Sequence, residues 1–357
     1  MKIGIIGLPQ TGKKTLFEVL TGYTCSDKDL ASNKPIKSVA EIYDARFDAL
    51  VGIYRPKKSV RARIDFELLP KIEQDTIAKG EIFKDIINLD AICHVVRAFH
   101  DDAIYHIKGS VDAARDIETI NAELVLHDLV FIEKRLERLE NTLRKIADKS
   151  GTRERDLLIR LKEQLEKEMP LRLLTLDKDE KKIISGYPFI TLKKMLIVLN
   201  VSEDKLGDTA FLGQLTNKLA PLGIDSMQVC AKVESEIRTL ETEAEKKEFL
   251  EALGIQEPAI NILTGLSMKA LDLISFFTAS GEEVRQWTVP ANSLAPEAAG
   301  TIHSDMERGF IRAEVMKYGE FIAAGSEEKL KEAGKFYVKG KDYIVEDGDI
   351  LHIRFSV

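Results

Sequence analysis

Two glycines and a lysine near the amino end have the residue types and spacing to hold phosphate. Gly7-Leu8-Pro9-Gln10-Thr11-Gly12-Lys13 lies between a short apolar run, Lys2 to Ile6, and an apolar-periodic segment, Lys14 to Leu20, closed by Gly22. Strand, glycine-bounded loop and helix in that order are the frame in which a phosphate-binding loop works. The glycines let successive backbone N–H groups turn inward around an anion. Lys13 can then reach the outer phosphate oxygens, and the helix N-terminus adds partial positive charge. The blander alternative is a glycine-rich turn that holds nothing.

One position departs from that pattern. The residue after Gly12-Lys13 should be Ser or Thr, whose hydroxyl holds Mg²⁺, but it is Lys14, with Thr15 one place later. Either Thr15 substitutes, although it sits about 100° further round the helix, or the Lys14 ammonium takes the metal's place and phosphate binding needs no Mg²⁺. An Asp at a strand end with Gly three residues on, the usual pair for metal and water, is also missing. Arg63 to Leu69 reads as the strand, and Pro70-Lys71 follows it. No catalytic residue and no metal ligand is assigned.

A base-reading loop belongs after a later buried strand. Met195 to Leu199 is such a strand, and Asn200-Val201-Ser202-Glu203 follows it. The guanine-reading tetrad Asn-Lys-x-Asp does not occur in the chain. Asn200 is expected to orient the loop, with the Val201 backbone facing an adenine edge and Ser226 to Lys232 backing the purine ring.

The elements that position these residues belong to a chain of 357 residues, too long for one core. A formal charge of −7 argues against a general nucleic-acid coat. Three well-separated cysteines, Cys25, Cys93 and Cys230, give neither a disulfide framework nor metal-ligand spacing. No apolar run reaches membrane-span length, and the amino end reads as a folded strand rather than a signal segment, so a cytoplasmic protein with no membrane partner is expected.

Gly22 to about Pro56 reads as a polar, irregular loop, and the basic run Arg55 to Arg63 as a solvated edge or a phosphate-backbone contact. Ala91 to Ala98 has the pattern of a strand buried on both faces, which gives His94 and Cys93 core roles. Val125, Leu129, Ile132, Leu136, Leu139, Leu143 and Ile146 recur at spacings of four and three, and Leu158, Leu161 and Leu165 form a returning helix. Together they predict an antiparallel coiled-coil hairpin suited to meeting a partner. From Ile274 onward a new mixed pattern begins, with a hairpin over 274–289, a helix at 296–300, further strands at 310–316, 336–339, 342–345 and 350–355, and a helix at 327–333.

Five segments together resemble a known family, the YchF or Obg-like ATPases, also called ribosome-binding ATPases. They are Gly7 to Lys13, Ala91 to Phe99, Asp116 to Leu124, Asn200 to Glu203 and Ile302 to Val315. The resemblance implies an α/β fold: a Ras-like P-loop domain of mostly parallel sheet over 1–111 and 190–273, an inserted helical hairpin over 112–189, and an α+β TGS domain of ubiquitin-like β-grasp fold over 274–357. It implies ATP or ADP as ligand, held by Gln10, Thr11, Gly12, Lys13, Lys14 and Thr15 at the phosphates and by Asn200, Val201 and Glu203 at the base. It also implies a ribosomal partner, the large subunit and its rRNA met through hairpin and TGS domain, with a part in translation or stress control and no role on DNA. Where the family carries Asn-Val-Gly-Lys-Ser-Thr and Asp-Ile-Ala-Gly, this chain has Gln10 to Thr15 and Leu68 to Lys71. ATP hydrolysis is therefore expected to be weak or impaired, the alternatives being a competent ATPase that recruits metal ligands such as Asp65 or Glu67, or a nucleotide-free ribosome-binding scaffold.

Overall fold

The computed structural model describes residues 1–32, 34–72, 81–144 and 149–356. They fall into two compact units, one of 1–38 and 65–260 and the other of 39–64 and 261–357. The strands are β1 (Lys2–Ile6), β2 (Ile36–Glu41), β3 (Lys58–Val60), β4 (Arg63–Leu68), β5 (Ala91–Arg97), β6 (Lys194–Asn200), β7 (Ile224–Val229), β8 (Leu273–Ala279), β9 (Glu283–Pro290), β10 (Phe310–Lys317), β11 (Tyr337–Lys339) and β12 (Asp349–Phe355).

The first sheet has the order β2-β4-β1-β5-β6-β7. Its pairs from β4 to β7 are all parallel, with Ile5 beside Leu68 and Cys93, and Arg97 beside Asn200. Every residue of β5 is buried, as expected of a strand covered on both faces. Cys93 and His94 therefore lie in the core, and burial pushes the Cys93 thiol up to about 12. Ile6, Val96, Ile197 and Leu199 pack with Ile117, Ile120 and Leu124 of the helix Ala113–Leu143 in one apolar cluster.

That helix and Lys149–Glu166 run antiparallel, bridged by Arg135 to Glu154 at 2.6 Å and by Lys162 to Glu133 at 3.0 Å. Ile132, Leu139, Leu158, Leu161 and Leu165 form their shared core, with Val125, Leu129, Leu136 and Leu143 packed against it. Ile146 lies outside the described residues. Near the hairpin's root the fully buried Asp128 carboxylate accepts from the backbone N–H of Ile190 and Thr191 and from the Thr191 hydroxyl. The returning chain is thereby fixed to the outgoing helix.

The second sheet has the order β11-β10-β12-β8-β9-β3. One apolar cluster joins Phe276, Val315 and Leu351 to the helix Ala295–Ile302. Another joins Phe277, Met316 and Ile350 to Phe47 and Leu50 of the helix Ala45–Tyr54.

The structure corrects three expectations. Gly22 to Pro56 is not an irregular loop: it holds the helix Asp27–Ala31, β2 and the helix Ala45–Tyr54, two of them started by the side chains of Ser26 and Asp44. Residues 39–64 cluster with the C-terminal unit rather than with the P-loop, because β3 pairs with β9 and the helix Ala45–Tyr54 supplies that unit's core. Residues 342–345 form no strand. Ile344 makes one isolated bridge to Leu294, and the Tyr343 hydroxyl, bonded to Asp349 and Lys317, fixes the segment instead.

The basic run also finds acids within its own unit. Lys57 pairs with Glu282, Lys58 with Glu283, Arg61 with Asp48 and Arg63 with Glu41.

Candidate functional site

Local sequence dictates the loop between β1 and the helix α1 (Lys13–Thr21). A Cβ on Gly7 would lie 2.5 Å from the Val95 carbonyl oxygen, so only glycine lets the loop pass β5 this closely. Gly12 sits at φ 86°, where a side chain is strained, and a Cβ there would lie 2.1 Å from Asn200 Nδ2. Leu16, Phe17 and Leu20 bury one face of α1. At its far end Gly22 at φ 78° closes the last turn, and Arg238 donates to the Glu18 and Gly22 carbonyls.

The Lys13 ammonium is buried and donates to the Gly7 carbonyl at 2.7 Å and to the Pro70 carbonyl at 3.4 Å. It thus spans the mouth of the loop from inside. Thr11 is buried, its hydroxyl on the Leu8 carbonyl at 3.2 Å. His94 stands beside Ile6 in register and close to Lys13. Burial, and secondarily the Lys13 charge, push its pKa down to about 3, so it is neutral and adds no charge behind the loop.

Two cavities adjoin at Gln10 and Gly12, which line both. The larger, about 960 Å³, also takes Thr15, Phe99, Asn200, Val201, Glu203 and Ala231 into its wall. The smaller, about 600 Å³, is walled by Thr11, Lys13, Lys14, Lys34 and Lys71, with Asp29 as its single carboxylate among the described residues. All nine residues singled out from the sequence thus stand on one of the two walls.

Asn200 ties the site together. At the end of β6 and 5% exposed, it donates from Nδ2 to the Thr11 carbonyl at 3.0 Å and accepts at Oδ1 from the Ala231 N–H at 3.0 Å. The Val201 N–H is spent on the Val229 carbonyl at 2.8 Å, which leaves its carbonyl, not its N–H, for a ligand. Glu203 is exposed and opens a single helical turn, Glu203–Lys205.

Lys14 and Thr15 face different cavities. Lys14 is 45% exposed with its ammonium 3.8 Å from Glu18, on the side of the smaller cavity, whereas Thr15 lines the larger. The helical offset therefore carries the Thr15 hydroxyl away from the lysine-lined end. Asp29 is occupied by the Ser26 hydroxyl and N–H and the Tyr23 hydroxyl, and the Ser26 bonds lower its pKa. Among the described residues no group of three or more His, Cys, Asp or Glu could hold a metal. Asp65 and Glu67, the two acids of β4, line neither cavity, and Glu67 pairs with Lys2 and Lys37.

Sequence reasoning missed the segment that follows β5. Phe99, Asp101 and Ile104 wall the larger cavity, and the fully buried Arg97 holds them through their carbonyls. Further along, His106 meets Asp116 of the hairpin helix at 2.9 Å, both side chains buried. Bonds to main-chain carbonyls leave no side-chain pattern to read; an arginine at the end of a largely apolar strand was the one available sign.

A parallel sheet with a lysine-bearing glycine loop after its first strand defines a P-loop nucleoside-triphosphatase fold. The chain is 42% identical to the ribosome-binding ATPase YchF of Bacillus subtilis (strain 168), with 99% of each chain covered, and 39% identical to the protein of that name from Escherichia coli O157:H7, covering 100% of this chain and 99% of the relative. The family model YchF-GTPase_C, described as a protein of unknown function (DUF933), matches residues 273–356. The chain belongs to the YchF family. Among solved structures it is similar to the Schizosaccharomyces pombe YchF GTPase, with a TM-score of 0.84 at 29% identity over 99% of this chain and 97% of that one. A GTP-binding protein from Pyrococcus horikoshii OT3 shares the fold, with a TM-score of 0.59 at 18% identity and both chains fully covered.

Proposed function

We propose that this chain binds ATP or ADP in the two adjoining cavities, phosphates at the lysine-lined end and adenine in the larger. The observation that carries this reading is the Asn200 bridge, which joins the phosphate loop to the first turn of the helix Ala231–Thr239 across the cavity mouth. Gly12 and the loop N–H groups cradle the phosphates, and Lys13 turns from the Gly7 carbonyl onto them. Thr15 borders the inner phosphates, and Gln10 and Thr11 shape the cradle. The Val201 carbonyl accepts from the adenine amino group, and Glu203 closes that edge. The absence of Asn-Lys-x-Asp favours adenine over guanine.

Lys14 replaces the metal's charge in this reading, releasing Glu18 when phosphate arrives, so binding does not require Mg²⁺ and hydrolysis is weak. The names of the relatives support association with the ribosome, by way of the hairpin over 112–189 and the TGS domain over 274–357 meeting rRNA of the large subunit. A cytoplasmic protein is the setting that fits; no helix among the described residues is long and apolar enough to cross a membrane.

Single-turnover hydrolysis of ATP by the full chain and by Lys14→Ser, with Mg²⁺, tests the enzymatic part. The variant is expected to gain on the order of tenfold or more in rate; strong Mg²⁺-dependent turnover by the wild type contradicts impairment. Co-sedimentation with ribosomes with and without ATP tests the partner, and recovery of the protein only in the unbound fraction contradicts it.

A further inference from the structure

The side chain of Arg97, the last residue of β5, bonds into the segment that walls the larger cavity. It is 1% exposed, among the largest fully buried side chains described. Its Nε donates to the Phe99 carbonyl at 3.1 Å, and its two terminal nitrogens donate to the Ile104 carbonyl at 3.0 Å and the Asp101 carbonyl at 3.3 Å. The guanidinium also lies over the Phe99 ring, 4.6 Å from its centre.

Three bonds from one planar fork fix the segment at both ends and in the middle. Phe99, Asp101 and Ile104 line the cavity, and Ala103 between them is bonded through its N–H to the Asp101 carboxylate at 2.9 Å. Across the sheet Arg97 is in register with Asn200, and the Ala98 N–H donates to the Asn200 carbonyl at 2.8 Å. The same pair of strand ends thus positions both sides of the larger cavity: Asn200 the phosphate loop and the Ala231 turn, Arg97 the opposite wall. None of residues 97–104 lines the smaller cavity.

We propose that Arg97 is a positioning residue for the purine side of the site: it sets affinity for the nucleoside part of the ligand without touching it, and leaves phosphate binding unaffected. The inference rests on the nucleotide reading above and deepens it. Among the described residues no carboxylate forms an ion pair with Arg97, and a buried arginine without one is costly to place. Here three carbonyls and one aromatic face meet its donors and its charge, and they all belong to the wall it holds.

The test compares two probes on the full chain, ATP and inorganic tripolyphosphate, each by calorimetry. Arg97→Met keeps the bulk of the side chain and removes every donor; Arg97→Lys keeps the charge and a shorter reach. The expected result is a loss of ATP affinity on the order of tenfold to a hundredfold in Arg97→Met and a smaller loss in Arg97→Lys, with tripolyphosphate affinity within about twofold of wild type in both. An equal loss for both probes would show a general structural role and overturn the proposal, as would unchanged ATP affinity in Arg97→Met. If Arg97→Met does not fold, the ratio of the two affinities in Arg97→Lys decides in the same way. A wild type that binds tripolyphosphate but not ATP overturns the nucleotide reading itself, a result distinct from a wild type that binds ATP with a variant that does so equally well.

Discussion

Replacing Asn200 by alanine removes two bonds at once, from the Thr11 carbonyl and from the Ala231 N–H, each 3.0 Å long. A buried polar group left without its partner costs about 1–3 kcal/mol, so the pair gives roughly 2–6 kcal/mol. Asn200 borders the larger cavity, and water can reach part of the space it leaves, which places the loss near the lower end, about 2–3 kcal/mol. The cost falls on the phosphate loop and on the first turn of the helix Ala231–Thr239, not on the molecule at large. Amide hydrogen exchange in peptides covering 7–13 and 229–235 should therefore rise roughly 30- to 150-fold, while the hairpin stays at its wild-type rate. Asn200→Asp separates the two bonds. Its carboxylate still accepts from Ala231 but turns an acceptor toward the Thr11 carbonyl, so the loop should loosen while the helix turn keeps its protection. If Asn200→Ala exchanges at 7–13 within twofold of wild type, Asn200 does not hold the loop and the site argument fails at its centre.

Other outcomes follow from the same geometry. Gly12→Ala puts a Cβ against Asn200 Nδ2 at a φ of 86° and should weaken ATP binding by more than about tenfold, whereas Gly52→Ala, with open space around it inside a helix, should be neutral or stabilising by up to about 1 kcal/mol; titration and thermal melting check both. His94 has its pKa pushed down to about 3 in the fold, below the value near 6.5 of an unfolded chain, so the unfolded state takes up the proton first. Stability should be unaffected by this group above about pH 6.5 and fall by up to about 1.4 kcal/mol per pH unit toward pH 3, a dependence that the difference in urea midpoints between wild type and His94→Leu should isolate. Of the three buried thiols, Cys230 lines the larger cavity and Cys25 and Cys93 do not, so a thiol reagent should reach Cys230 first and saturating ATP should protect it; equal labelling with and without ATP would argue against a ligand in that cavity.

The phosphate loop was legible because a tight anion cradle depends on a fixed local spacing of glycines and lysine, which backbone geometry alone demands. Asn200 was legible as a strand-end residue, but its two partners lie 189 and 31 positions away and only the fold brings them together. Arg97 was not legible, since its partners are main-chain carbonyls that any residue supplies. The second unit's claim on residues 39–64 was hidden for a related reason: the three-residue β3 pairs with β9 more than two hundred positions later, and no periodicity records such a match. The helices missed between Gly22 and Pro56 had left a trace, the box Ser26-Asp27-Lys28-Asp29, in which side chain and backbone satisfy each other at a helix start. The exchange of a hydroxyl for Lys14 was visible in the sequence, but the separation of Lys14 and Thr15 onto two cavities needed the three-dimensional placement of α1.

Calorimetry of the wild-type chain with ATP, run once with Mg²⁺ and once with EDTA, tests most directly whether an ammonium group has taken over from the cation at the phosphate loop. Saturable binding of similar affinity in both titrations is the predicted result. A flat trace at millimolar ATP, or binding that vanishes when the metal is chelated, would contradict the account.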